Sequence, residues 1–184
     1  MTGIWILIIA LVLIAFFLIA QYNRLVSLRQ DSQNAFAQID VQLKRRYDLI
    51  PNLVETVKGY MKYEGDTLEK VIAARNRAMA ANTVGEKAAA EGEVRSALAN
   101  VFALAEAYPD LKANQNMLSL QEELKSTENK IAFARQYYND VVTSYNTKLQ
   151  TFPTSVIAGM GGFKPRDLFE LEDAAAREPV KVQF

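Results

Sequence analysis

Histidine and cysteine are both absent from the 184 residues, and that decides most of what the chain can do chemically. Without an imidazole there is no Ser-His-Asp triad and no histidine metal ligand. Without a thiol there is no thiolate nucleophile, zinc knuckle, iron–sulfur cluster or disulfide. The di-iron site of helical bundles needs Glu-x-x-His and is excluded with them. Chemistry would have to run on Asp, Glu, Lys, Ser and Tyr. The carboxylates pair poorly. Glu122 and Glu123 are adjacent, so on a helix they point about 100° apart and cannot flank one bond. Glu55 and Glu128 would meet only if two antiparallel helices brought them together. Gly159, Gly161 and Gly162 form G-x-G-G, but a phosphate cradle needs a strand before it and a helix N-terminus after it. Here helix-forming sequence precedes and Pro165 follows, which favours a hinge or turn. No catalytic residue, cofactor or metal site is expected, and zero net charge gives no general pull toward nucleic acid.

Two polar blocks remain. In the first, Arg45, Arg46, Asp48, Asn52 and Glu55 surround Pro51. In the second, Tyr137, Tyr138, Asn139 and Asp140 are followed by Tyr145 and Asn146. One reading is internal: Asn and Tyr side chains satisfy backbone groups freed by the proline, and an arginine such as Arg46 pairs with Asp140 across a bundle. The other is a polar recognition site for a peptide, a lipid headgroup or a neighbouring subunit.

The elements that must position these residues are helical. Apolar residues recur at threes and fours from Leu25 through Leu28, Ser32, Ala35, Phe36, Ile39 and Leu43, then at Ile50, Leu53, Val54 and Val57. This predicts a long helix over about 22–60, kinked at Pro51, with Asp48 available as a local cap. Asp66 and Glu69 read as a capping box opening a second helix over 67–81, with Leu68, Val71, Ile72, Arg75 and Met79 inward. Thr83 and Glu86 form a weaker box before a third helix over 87–108, with Val94, Leu98, Val101, Phe102 and Ala105 on one face. The second and third helices are rich in alanine, which is chiefly helix propensity but also permits a close interface. A fourth helix over 113–150 carries the seam Met117, Leu120, Leu124, Thr127, Ile131, Ala134, Tyr138, Val141, Tyr145 and Leu149, a period near 3.5. The expected fold is all-α: an N-terminal transmembrane helix continuing into an elongated antiparallel bundle of two long helices and two shorter ones. The expected division is an anchor over 1–21, the bundle over 22–152 and a glycine-containing C-terminal segment over 153–184. In that segment Val156, Ile157, Phe163, Leu168, Phe169 and Leu171 are expected to dock on the bundle, a neighbour or the bilayer, with a loose tail from Asp173.

The anchor is the most explicit feature. Ile4 to Ala20 is a run of 17 residues without a charge, including Trp5, Leu11, Phe16 and Phe17. As a helix it covers roughly 25 Å, near the lower limit for a span. Trp5 and Tyr22 stand near its ends, where amphipathic rings favour the headgroup level. No basic region precedes the run, and Leu18 stands where a cleavage site would need a small residue, so an uncleaved anchor is expected. Arg24 and Arg29 on the C-terminal flank lean the body toward the cytoplasm. No flexible linker separates run and body, which predicts one stiff connection.

Four stretches together resemble the LemA family: YNRLVSLRQ after the anchor, KRRYDLIPNLVETVKGY, ARQYYNDVVTSYNTKLQTFPTSVIA, and GF with a following basic residue. The resemblance runs from the anchor to about Leu171. It implies a membrane-anchored α-helical protein of bacteria whose soluble part is an antiparallel long-helix bundle. It implies no enzymatic activity and supplies no catalytic residue; the family name connects it to sensing and virulence systems in some bacteria. The expected function is a non-enzymatic scaffold in the inner membrane that self-assembles. The alternative is a membrane-tethered binding or sensing module acting with a separate signalling, protease or transport protein, an unidentified membrane protein being a possible partner.

Overall fold

The computed structural model describes residues 2–61 and 64–170, and these form six α-helices with no strand among them. The helices are α1 Thr2–Lys58, α2 Gly65–Ala80, α3 Val84–Ala105, α4 Pro109–Lys112, α5 Gln115–Gln150 and α6 Thr154–Met160. The chain is thus all-α, and the apolar run continues into the bundle without a break. None of the residues in its most apolar stretch is buried. Leu171 and the tail from Asp173 lie outside the described residues.

Contacts divide the chain into two compact units. The first is Met1–Gln38 with Ala134–Leu168. In it Leu25 packs with Ile157, Ala158, Leu149 and Phe163, and the ring of Phe36 meets that of Tyr138. The step from Leu25 to Phe36 along α1 equals the step back from Leu149 to Tyr138 along α5, so the helices run antiparallel without slipping register. The second unit is Ile39–Phe133 with the chain from Phe169. There Arg46 meets Glu128 and Tyr60 meets Asn114, again with equal and opposite steps. Its core comprises Ile39, Leu43, Ile50, Leu53 and Val57 of α1 with Val71, Val94, Val101, Met117 and Ile131. Each buried Leu or Ile contributes about 1.5–3 kcal/mol relative to exposure, which is what holds these stripes inward.

Several boundaries differ from the sequence expectation. α2 begins at Gly65, and its cap position, Glu64, makes no side-chain capping bond. Asp66 lies inside the first turn, so the expected Asp66–Glu69 box does not form; the Glu64 carbonyl instead accepts from the Thr67 and Leu68 amides. The weaker signature is the real one. Thr83 and Glu86 form a complete capping box at the start of α3. Ile72 and Met79 are exposed, and α2 turns Ala74 and Ala78 inward with Leu68 and Val71. Buried Ala88 and Ala90 of α3 suit the same close approach. Pro109 does not merely end the third helix: it opens α4 as its first residue, where its missing N–H costs nothing. In the seam of α5 it is Val142, not Val141, that is fully buried.

Candidate functional site

The α5 block Tyr138–Asn146 holds down an extended strap that follows α6. The strap starts from a glycine-built helix stop. Gly162 has φ 66°, the Phe163 amide donates to the Ala158 carbonyl at 3.0 Å, and the Gly162 amide points to that of Gly159 at 3.4 Å. This is a Schellman arrangement, which favours glycine at the left-handed position. Gly161 is constrained differently: a Cβ there would lie 2.6 Å from the Phe163 ring. Gly159 is inside α6 with open space around it. Two of the three candidate hinge glycines are therefore tied to ending α6.

Beyond the stop, Tyr145 donates its hydroxyl to the Lys164 carbonyl at 3.0 Å. Asn146 bonds both ways with Arg166, donating to its carbonyl at 2.8 Å and accepting from its amide at 2.9 Å. Tyr138 donates to the Asp167 carbonyl at 2.8 Å. The spacing explains the residue types. Side chains a helical heptad apart share one face, and only long polar-tipped ones reach a backbone lying beside it. Burial pushes both phenols up from their ordinary pKa, with the Arg166 charge opposing. The hydroxyls thus remain donors through the physiological range. Asn139 is half-buried and Asp140 exposed. Replacing Asn146 by alanine is expected to open the strap by about 1–2 kcal/mol, since two bonds to partly buried backbone groups are lost. The check is trypsin cleavage after Arg166 in the full chain, which should rise by roughly tenfold because cleavage tracks the open population. An unchanged rate would show that the strap does not depend on Asn146.

The first block behaves differently, and most of it faces water. Arg45, Asp48, Pro51, Asn52 and Glu55 are exposed; Asp48 pairs with Lys44 at 3.3 Å, and Glu55 lies 3.9 Å from Lys58. Asp48 caps nothing, because α1 passes through Pro51 unbroken. Nor do Glu55 and Glu128 meet. Arg46 alone turns inward, 3% exposed, and it pairs with Glu91 of α3 and Glu128 of α5 rather than with Asp140. Tyr47 donates its hydroxyl to the other oxygen of Glu91, and Arg95 stands 3.8 Å from Glu128. Burial pulls the Arg46 guanidinium below its ordinary pKa against the attraction of Glu128. An arginine starts so far above neutrality that it stays cationic regardless. Burial likewise pushes the Tyr47 phenol up to about 12, with the Arg46 charge opposing.

The backbone group freed by Pro51 has an unexpected partner. Proline has no N–H for the carbonyl four residues back, which belongs to Tyr47. Arg75 of α2 fills that place, its Nε donating to the Tyr47 carbonyl at 2.7 Å. The Tyr and Asn side chains expected to do this are spent on the strap instead. Glu91 and Arg75 were the residues sequence reasoning passed over as polar partners. Glu91 had a signal, since it is one turn before Val94 and two before Leu98 on the inward face of α3.

Beside this cluster lies a groove of about 430 Å³, lined by Leu98, Phe102 and Leu124 together with Arg46, Arg95 and Glu128. Each carboxylate of the cluster faces a guanidinium, so the arrangement is a buried charge network rather than a free acid–base pair.

Fold and site together define a class of protein: an all-α chain whose first helix carries a span-length apolar run and whose most distinctive polar residues hold its own elements together. Known sequences narrow the class. The LemA family model matches residues 35–184, and the chain belongs to the LemA family. The match begins after YNRLVSLRQ and covers the other three stretches. Protein LemA of Metamycoplasma hominis is 30% identical over 148 residues, 78% of this chain and 66% of that protein. Magnetosome protein MamQ 2 of Paramagnetospirillum magneticum is 24% identical over 189 residues, 89% of this chain and 69% of its own length. Magnetosome protein MamQ of Magnetospirillum gryphiswaldense is 23% identical with the same coverage. The chain therefore spans roughly two thirds of the length of these relatives.

Proposed function

We propose that this protein is a non-enzymatic, single-pass scaffold of the bacterial inner membrane that assembles with copies of itself, its body on the cytoplasmic side. The observation that carries the reading is the continuity of α1, in which a fully exposed apolar run and the inward stripe of the bundle belong to one helix. An exposed run of this length is stable in a bilayer and costly in water. The arginines at 24 and 29 support this orientation. The polar blocks support a structural role, because their buried members bond to the protein itself. Exposed Val41, Met79 and Phe133 supply apolar surface for contacts between copies. The relatives named as magnetosome proteins carry the name of a cellular structure rather than of a reaction, which fits a scaffold.

The groove beside Arg46 favours a second reading, a tethered binding module that works with another membrane protein. One comparison separates them. Light scattering of the full chain in mild detergent should give a mass of several copies at micromolar concentration, and crosslinking in native membranes should recover self-contacts. A monomer throughout, with crosslinks only to a different protein, would sink the scaffold and favour the module.

A further inference from the structure

The two most exposed large apolar side chains in the described protein are not in the apolar run. They are Met160 at 87% and Phe152 at 84%, against at most 69% for any large apolar side chain of the run. Val156, 56% exposed, lies between them in sequence; the spacing of four sets Val156 and Met160 on one side of α6, and Phe152 stands in the turn before it. The opposite side of α6 is satisfied, with Ile157 and Ala158 buried on Leu25.

The fold places this turn at one particular level. Thr154 donates its hydroxyl to the side-chain oxygen of Gln21 at 3.3 Å, one residue beyond the end of the apolar run. The register that sets Leu149 against Leu25 brings the end of α5, at Gln150, to the level of Arg24, so the turn with Phe152 that follows lies near the end of the apolar run. Phe163 packs edge-on to Tyr22 with ring centroids 5.5 Å apart and carries Arg29 over its face at 5.2 Å. Apolar residues and an aromatic pair thus stand near the end of the run, with a cation from two turns further along α1 over the same ring. That combination suits the boundary between acyl chains and headgroups.

We infer that the α5–α6 turn is a second membrane contact: Phe152 and Val156 enter the headgroup–acyl boundary of the bilayer beside the span, with Met160 one turn further out. The occupant of this face is lipid, because the Thr154–Gln21 hydrogen bond holds the start of α6 beside the end of the exposed apolar run of α1. Two points of contact fix the tilt of this unit where a lone span would leave it free to lean. The inference rests on reading Ile4–Ala20 as a span, and the test keeps the two apart.

Trp5 is the sole tryptophan, so it reports the span directly. A Phe152→Trp variant in a Trp5→Phe background reports the turn. Both full-length chains are reconstituted in phosphatidylcholine–phosphatidylglycerol vesicles whose acyl chains are brominated near the carbonyl or near the methyl end. The expected result is a blue-shifted emission from position 152 with at least about a twofold loss on shallow-brominated lipid, consistent with burial some 5–10 Å deep. Deep-brominated lipid should quench it less. Emission at the aqueous wavelength, untouched by either lipid while Trp5 is quenched, overturns the second contact and leaves the span standing. An unquenched Trp5 overturns both. A Val156→Trp variant in the same background repeats the reading if the first variant fails to fold; quenching there supports the contact, and its absence overturns it.

Discussion

Replacing Glu91 by alanine is expected to cost about 3 kcal/mol of folding stability, because the buried Arg46 guanidinium then keeps only Glu128, a partner that is itself partly exposed. The single change also removes the acceptor of the Tyr47 hydroxyl. Urea unfolding of the full chain in mild detergent, followed by circular dichroism, measures the loss. The companion variant removes the charges together: Arg46→Met with Glu91→Leu is expected to lie within about 1–2 kcal/mol of the parent, since apolar replacements of a buried pair are often neutral. A loss below about 1 kcal/mol for Glu91→Ala would instead mark the pair as solvated.

Arg75→Ala is expected to cost about 1.5–3 kcal/mol, the range for a hydrogen bond from a charged donor. The carbonyl of Tyr47 would be left without a donor, since Pro51 has none. The sharper expectation concerns rescue. Pro51→Ala restores an amide four residues from Tyr47, so in the Arg75→Ala background it should recover most of the loss. The same unfolding experiment on the two single variants and the double variant gives the coupling. Additive effects of the two substitutions would show that Arg75 acts through something other than that carbonyl.

The legible parts of this protein were those written as periods. The stripe of α1 and the seam of α5 repeat over many turns, and most of their residues are buried, whereas the apolar run was legible by its length and lack of charge and is exposed throughout. Two residues of the seam show the grain of that method: Val141 and Val142 are adjacent valines, and periodicity could not choose between them. Caps were less legible because they depend on a single boundary residue. Asp66 sits one position inside α2 and loses its box, whereas Thr83 sits on the boundary of α3 and keeps it. The sites were least legible, since a polar residue's partner comes from another element. Nothing near Arg46 in sequence points to Glu91 or Glu128, and nothing near Pro51 points to Arg75. Tyr138, Tyr145 and Asn146 stand out in sequence as a block, yet what they bond to depends on a strap that follows Gly162. Its glycines read as flexibility in sequence and as a helix stop in three dimensions.

The unbroken course of α1 past Ala20 has a consequence for how this chain can change length. Each residue of a helix turns its successor by about 100° and lifts it about 1.5 Å. Adding one residue between Gln21 and Leu25 would therefore swing the whole apolar run by more than a quarter of a circle relative to the side on which Leu25 packs. Adding about seven would return it almost to its starting angle, two turns higher. The junction works as an angular key: insertions there are graded by their remainder after whole turns, not by their size.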